Sequence, residues 1–271
     1  MTLALHKRTE EFIHHTEDNL PQSLLVTGLT GVGLLTIARL IASSHSQHVH
    51  VVQPLDAGKL KSIGVELIRD LYETVRTKSQ DKRVIIIDDA DSMTHSAQNA
   101  FLKLLEEPSS QTYFILLSHH ADRLLPTIQS RVQRQEIQPV NSTQTAEYLD
   151  TLDVNDVRKR QQLIYIADGL PAELHRLVHD DEYFEASAQR MKDARELLRA
   201  STYEKLLIAH RYRENREQAI GLIEAALHIT RRTLSDNAQT GLVKQLSALT
   251  TAYDGLQANQ NIRLCLARLV I

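Results

Sequence analysis

Cysteine is almost absent. Cys265 is the only one in 271 residues, which excludes an internal disulfide framework and a four-cysteine zinc site and suits a reducing compartment. No excess of charge of one sign is present either: 31 Lys and Arg stand against 34 Asp and Glu, a net charge of −3. Without a global positive field to draw the chain to nucleic acid or an anionic membrane, any DNA contact must be local or shared with partners. The opening MTLALHKRTEEFIHHTEDN has charge in its first ten residues and no long apolar run. It reads as neither signal peptide nor membrane span, and the chain is expected in the cytoplasm, without a membrane partner. Proline is missing from the whole C-terminal part, since all six lie at or before Pro171. The remainder should be almost entirely helical. There is no internal repeat or low-complexity tract.

What is present is 42% apolar residues, enough for a packed core in each of two or three domains. Up to about residue 140, β-branched runs (SLLVTG, HVHVV, RVIIIDDAD, TYFILLS, RVQRQEI) alternate with amphipathic ones (LLTIARLIASS, KSIGVELIRDLYETV, SAQNAFLKLLEE). That alternation implies βαβ units around a buried parallel sheet, an α/β fold. Pro139 should end the last strand, and Asn141 or Ser142 should cap a new helix. Three short helices follow from about 140 to 180, with Gly169 placed to end one and Pro171 to open the next. A second helical body runs from about 183 to the end.

Gly28, Gly31 and Gly33 lie directly between a strand and a helix, where positive φ lets backbone N–H groups point into an anion nest. The spacing from Gly28 to Gly33 fits G-x-x-x-x-G-K-[ST], but Leu34 and Leu35 stand where the lysine and the magnesium-binding hydroxyl belong. Leucine supplies neither charge nor a hard oxygen ligand. Thr36 does not stand in, because one residue along a helix turns a side chain by about 100°. The plain alternative is a glycine-rich turn with no ligand. About 55 residues on, RVIIIDDADSM ends an apolar strand in Asp88 and Asp89, where a P-loop ATPase carries its magnesium carboxylate and the glutamate that polarises water. Asp89 is one methylene short of that glutamate. The plain alternative is that both carboxylates cap the next segment.

The stretch VIIIDDADSMTHSAQNAFLKLLEEPSSQTYFILLSHHADRLLPTIQSRVQRQEI resembles, almost throughout, the bacterial DNA polymerase III clamp-loader subunits. These are the gamma/tau and delta-prime group of the AAA+ superfamily. SIGVELIRDLYETV and the ending AYDGLQANQNIRLCLARLVI are also similar to that family. The resemblance implies an AAA+ P-loop-like core over residues 1–140, a small helical lid over 141–182 and an all-helical collar for oligomerisation over 183–271. It implies as partners the other clamp-loader subunits (gamma/tau and delta), the sliding clamp, and primed DNA reached through the assembled complex.

In that family an SRC arginine of one subunit reaches the ATP of its neighbour. Here Ser130 and Arg131 match, with Val132 in place of Cys. The match implies that Arg131 is an arginine finger acting in trans, whose planar fork suits the spreading charge of a transferring phosphoryl group. A surface arginine in a loose ion pair is the plain alternative. Other family elements are missing. The lid arginine has no match, since GLPAEL puts Ala172 and Glu173 there, and a Thr-Thr position reads Ser118-His119. His119 and His120 are expected as solvated loop residues, with no metal site and no zinc.

These losses all fall on the chain's own site, while the element used on a neighbour is kept. The pattern resembles the non-hydrolysing delta-prime type. It implies that Gly28, Gly31, Gly33, Leu34, Leu35, Asp88 and Asp89 form a vestigial nucleotide site that holds no cofactor tightly, with ATP and Mg on neighbouring subunits. A gamma-like subunit hydrolysing ATP through a divergent loop, and an AAA+-derived scaffold outside replication, are the competing readings.

Overall fold

Strands form where branched apolar residues run without interruption, and helices where apolar residues recur on one face. The computed structural model describes residues 4–56, 61–76, 81–108, 111–236 and 240–269. Two units divide the chain, Met1–Val178 and His179–Ile271. Residues 141–178 of the expected lid therefore fall in the first unit.

The first unit opens with α1 (Lys7–Asp18), β1 (Ser23–Thr27), α2 (Leu34–His45) and β2 (His48–Val52). A short antiparallel pair, β3 (Leu55–Asp56) and β4 (Lys61–Ser62), comes next. Then follow α3 (Val65–Arg76), β5 (Arg83–Ile87), α4 (His95–Glu106), β6 (Thr112–Ser118), α5 (Pro126–Gln129) and β7 (Gln133–Glu136). Three further helices, α6 (Ser142–Thr151), α7 (Val157–Ala167) and α8 (Pro171–His179), complete the series.

The five-stranded sheet has the order β2-β5-β6-β1-β7 and every pairing in it is parallel, as the sequence implies. Its central strands are buried along nearly their whole length because helices cover both faces. Side-chain alternation sorts them into two cores. Leu25, Ile85, Phe114 and Leu116 pack with Ile68, Leu71, Phe101 and Leu104 of α3 and α4. Leu24, Val26, Ile86 and Ile115 pack with Ile13 of α1 and Ile37 and Ile41 of α2 on the other side. Phe101 meets Phe114 edge to face, 5.3 Å between centroids. Because the strands are parallel, the loops leaving β1, β5 and β6 emerge at one end of the sheet, the end where open α/β sheets carry their sites.

Asn141, rather than Ser142, caps α6: its side chain accepts from the N–H of Gln144 at 2.9 Å, and Gln144 Oε1 accepts from the N–H of Asn141 at 3.0 Å. The end of α7 differs from expectation by one residue. Asp168 itself turns left-handed at φ 45 and closes the helix, and Gly169 follows at φ 76. Aspartate tolerates that region by local hydrogen bonding. Strand β7 stops at Glu136, before Pro139; the last ladder bond runs from Ile137 N–H to the Thr27 carbonyl, 2.7 Å.

The second unit contains α9 (Asp181–Arg199), α10 (Thr202–Arg211), α11 (Arg216–Asp236), α12 (Thr240–Gln257) and α13 (Ile262–Ala267). Its described elements are all helices, as the lack of proline predicts. Asp193, 3% exposed, accepts from Tyr212 Oη at 2.7 Å and Gln189 Nε2 at 3.0 Å and pairs with Arg211 at 3.2 Å. Burial first, and then the Asp193 hydrogen bond, push the Tyr212 phenol well above its usual range. Among the described residues no helix is long and apolar enough to cross a membrane.

Candidate functional site

The loop after β1 takes the nest shape only because its glycines permit it. Gly31 and Gly33 adopt φ of 88 and 94, and Gly33 N-caps α2 without a side-chain hydrogen bond. Leu34, the first residue of that helix, is 3% exposed and belongs to the apolar cluster with Val32, Ile37 and Ile137. A Cβ built on Gly28 would stand 2.9 Å from Val32 Cγ1 and 3.2 Å from Leu34 Cδ2. The space beside Gly28 is thus already taken by these two side chains, and Leu35 packs half-buried against the same cluster. Replacing Leu34 by Lys should destabilise the first unit by about 2–3 kcal/mol, since it removes a buried leucine and drives an ammonium toward apolar neighbours. Urea unfolding checks this, and an unchanged midpoint would show that position 34 tolerates charge.

Helix α8 closes on the loop from the other side. The N–H groups of Ala172 and Glu173 both donate to the Gly31 carbonyl, at 2.9 and 3.1 Å. A Cβ on Gly31 would lie 3.0 Å from Glu173 Cβ, and one on Gly33 would lie 3.7 Å from Ala172 Cβ. A helix start leaves four N–H groups without intrahelical partners and carries a partial positive charge. Here two of those groups hold a loop carbonyl of the same chain.

Asp88 and Asp89 follow β5 directly. Asp88 accepts from Gln53 Nε2 at 3.0 Å, and its own N–H donates to the Val52 carbonyl at 2.9 Å. Asp89 is left-handed at φ 46, and burial, followed by the neighbouring Asp88, raises its carboxyl above the ordinary value. His119 corrects the expectation of a solvated residue. Its side chain is 24% exposed, its Nδ1 lies 2.8 Å from the Gly28 carbonyl, and its Nε2 lies 3.8 Å from Asp89 Oδ1. A carbonyl can only accept, so Nδ1 carries the proton and Nε2 faces the carboxylate. His119 thereby ties the loop to the acidic corner.

Asp91, which sequence reasoning missed, accepts from Ser118 Oγ at 2.8 Å and from the His119 N–H at 3.2 Å, joining the ends of β5 and β6. The only signal was a third aspartate in DDAD. Among the described residues there is no group of three or more His, Cys, Asp or Glu that could hold a metal ion.

Arg131 is held apart from this cluster. Its Nη2 pairs with Glu106 Oε1 at 3.0 Å, and its Nη1 donates to the Thr127 carbonyl at 3.0 Å and to Ser130 Oγ at 3.3 Å. Ser130 is the C-cap of α5, and Val132 packs against the sheet core. Thus the loop, the two aspartates and α8 come together, while Ser130 and Arg131 form a separate exposed corner with the end of α4.

Residues 36–141 match the family described as DNA polymerase III, delta subunit, so the match includes the acidic strand end and Arg131 but not the loop glycines. The DNA polymerase III subunit delta' of Pseudomonas aeruginosa is 32% identical over 59% of this chain and 49% of its own length. That of Bacillus subtilis is 29% identical over 65% and 59%. Replication factor C subunit 3 of Oryza sativa is 30% identical over 57% and 46%. The chain thus spans about half the length of the curated relatives it matches. A solved DNA polymerase III gamma subunit-related protein of Thermotoga maritima shares the fold over 97% of both chains, with TM-score 0.56 and 19% identity. Over its parallel-sheet core the chain is thus similar to the delta' subunits of DNA polymerase III.

Proposed function

We propose that the chain is a delta-prime-like subunit of the clamp loader. In this reading it does not itself hydrolyse ATP, supplies Arg131 to ATP held with Mg by a neighbouring subunit, and helps load the sliding clamp on primed DNA. Its collar, the second unit, joins the gamma/tau and delta subunits. The observation that carries this reading is the apolar packing of Leu34 at the loop. Leu34 and Val32 occupy the space beside Gly28, and α8 amides hold the Gly31 carbonyl. A phosphate at the loop would meet Leu34 in place of a lysine, a loss on the order of 1.5–3 kcal/mol or more for that contact alone.

The Arg131 corner supports the second half of the reading. Its ion pair with Glu106 is exposed, and such pairs are worth about 0–1 kcal/mol. The guanidinium can therefore leave Glu106 for a neighbour's phosphates at little expense, and its planar fork suits the spreading phosphoryl charge.

Isothermal titration of the chain with Mg-ATP tests the first half. No binding tighter than about millimolar, roughly −4 kcal/mol, is expected. A micromolar dissociation constant would refute the vestigial site and favour a gamma-like, hydrolysing subunit.

A further inference from the structure

The second unit carries an open feature that neither ATP chemistry nor its own core uses. Between the end of α9 and helix α10 lies a cleft of about 500 Å³ with Leu207 and Ile208 on its wall and Arg195, Arg199 and Arg211 around it. Two glutamates also line it, and both are engaged. Glu204 accepts from the N–H and Oγ of Ser201 at 2.8 and 2.9 Å, and Glu196 lies 3.9 Å from Arg211. Arg211 also pairs with the buried Asp193. The Arg199 side chain makes no hydrogen bond or ion pair among the described residues.

Beside the cleft, α10 exposes Tyr203 at 69%, Leu206 at 49% and Leu207 at 52%. Their i, i+3, i+4 spacing places them on one face. Three exposed large apolar side chains on one ten-residue helix are more than scattered surface leucines require.

We infer that this cleft and face dock an acidic amphipathic segment of a partner protein. Its apolar side chains lie on Tyr203, Leu206 and Leu207, and a carboxylate meets Arg199. Charge complementarity selects this occupant, because guanidinium groups pair bidentately with carboxylates and an apolar helix face fits helix-in-groove recognition. Nucleic acid fits poorly, since it offers no apolar side chains to cover Tyr203, Leu206 and Leu207.

The test uses the full chain and a fluorescein-labelled peptide of about 14 residues with leucines at helical i, i+3, i+4, i+7 spacing and glutamate or aspartate elsewhere. Fluorescence anisotropy should show saturable binding that salt weakens. Arg199→Glu and Leu207→Asp, both at exposed positions, should each weaken it at least about tenfold. Arg39→Glu, exposed on α2 in the first unit, should leave it unchanged. The inference is overturned by absent binding, by an equal loss in Arg39→Glu, or by equal binding of a peptide with lysine in place of the acids. It is also overturned if the chain alone self-associates and Leu207→Asp abolishes the association, which would make the face a contact between copies.

Discussion

Replacing Arg131 by Ala is expected to lower the ATPase rate of the assembled clamp loader while leaving this chain folded and able to assemble. Its polar contacts are with Glu106, Thr127 and Ser130 at an exposed corner, so losing them should move stability by less than about 1 kcal/mol. A finger of this kind is worth about 10³–10⁵ at a single site, and less across a ring whose other sites have their own fingers. Arg131→Lys should also fail, because an ammonium lacks the fork. Glu106→Gln removes the resting ion pair but keeps the guanidinium and should retain the rate. Arg134, exposed on β7, is the charge control, and its replacement by Ala should do almost nothing. Steady-state ATP turnover of the reconstituted complex decides the matter. Equal losses at 131 and 134 would reduce the effect to surface charge, and full activity of Arg131→Ala would remove the role in trans.

Gly169→Ala should be the most damaging single methyl in the first unit. The residue sits at φ 76, where a side chain costs about 1–2 kcal/mol. The new Cβ would also run into the Val140 carbonyl oxygen and lie 3.4 Å from Pro139 Cβ. The obstruction is backbone, and it cannot swing aside without breaking the Val140 N–H bond to the Gly169 carbonyl, 2.8 Å. A loss of about 3 kcal/mol or more is expected, which for a unit of this size lowers the melting temperature by roughly 6–12 °C. Circular dichroism melting checks it against Gly241→Ala, where nothing lies within 4 Å of the added carbon in the α12 helix and stability should hold or rise. Equal melting of Gly169→Ala and the wild-type chain would contradict the steric argument.

The parts of the fold legible in the sequence are those written in local pattern. VIII and FILL read as buried parallel strands because nothing polar interrupts them, and the helical tail reads from its missing proline. Asn141 was one of two candidate caps, and only the reciprocal bond with Gln144 separates it from Ser142. The uncharged residues at 34 and 35 were legible. What holds the loop was not, because it depends on partners far along the chain. His119 reaches Gly28 across 91 residues, and the α8 amides reach Gly31 from more than a hundred residues away. A single histidine with no ligand-spaced neighbour reads as solvated until the sheet brings the β1 and β6 ends side by side. Asp168 took the left-handed turn beside Gly169 because aspartate and glycine both permit it, and composition does not choose between them.

The bond from α8 to the Gly31 carbonyl also bears on how such a chain can change over generations. A lysine arriving first at position 34 would enter an apolar cluster beneath a capped loop, with no anion to meet it. Loosening α8 first would release two amides from the Gly31 carbonyl. Either single step leads through a less stable protein, so the two changes are coupled. A lineage with this arrangement can drift over its exposed surface, while position 34 and the start of α8 are bound to change together.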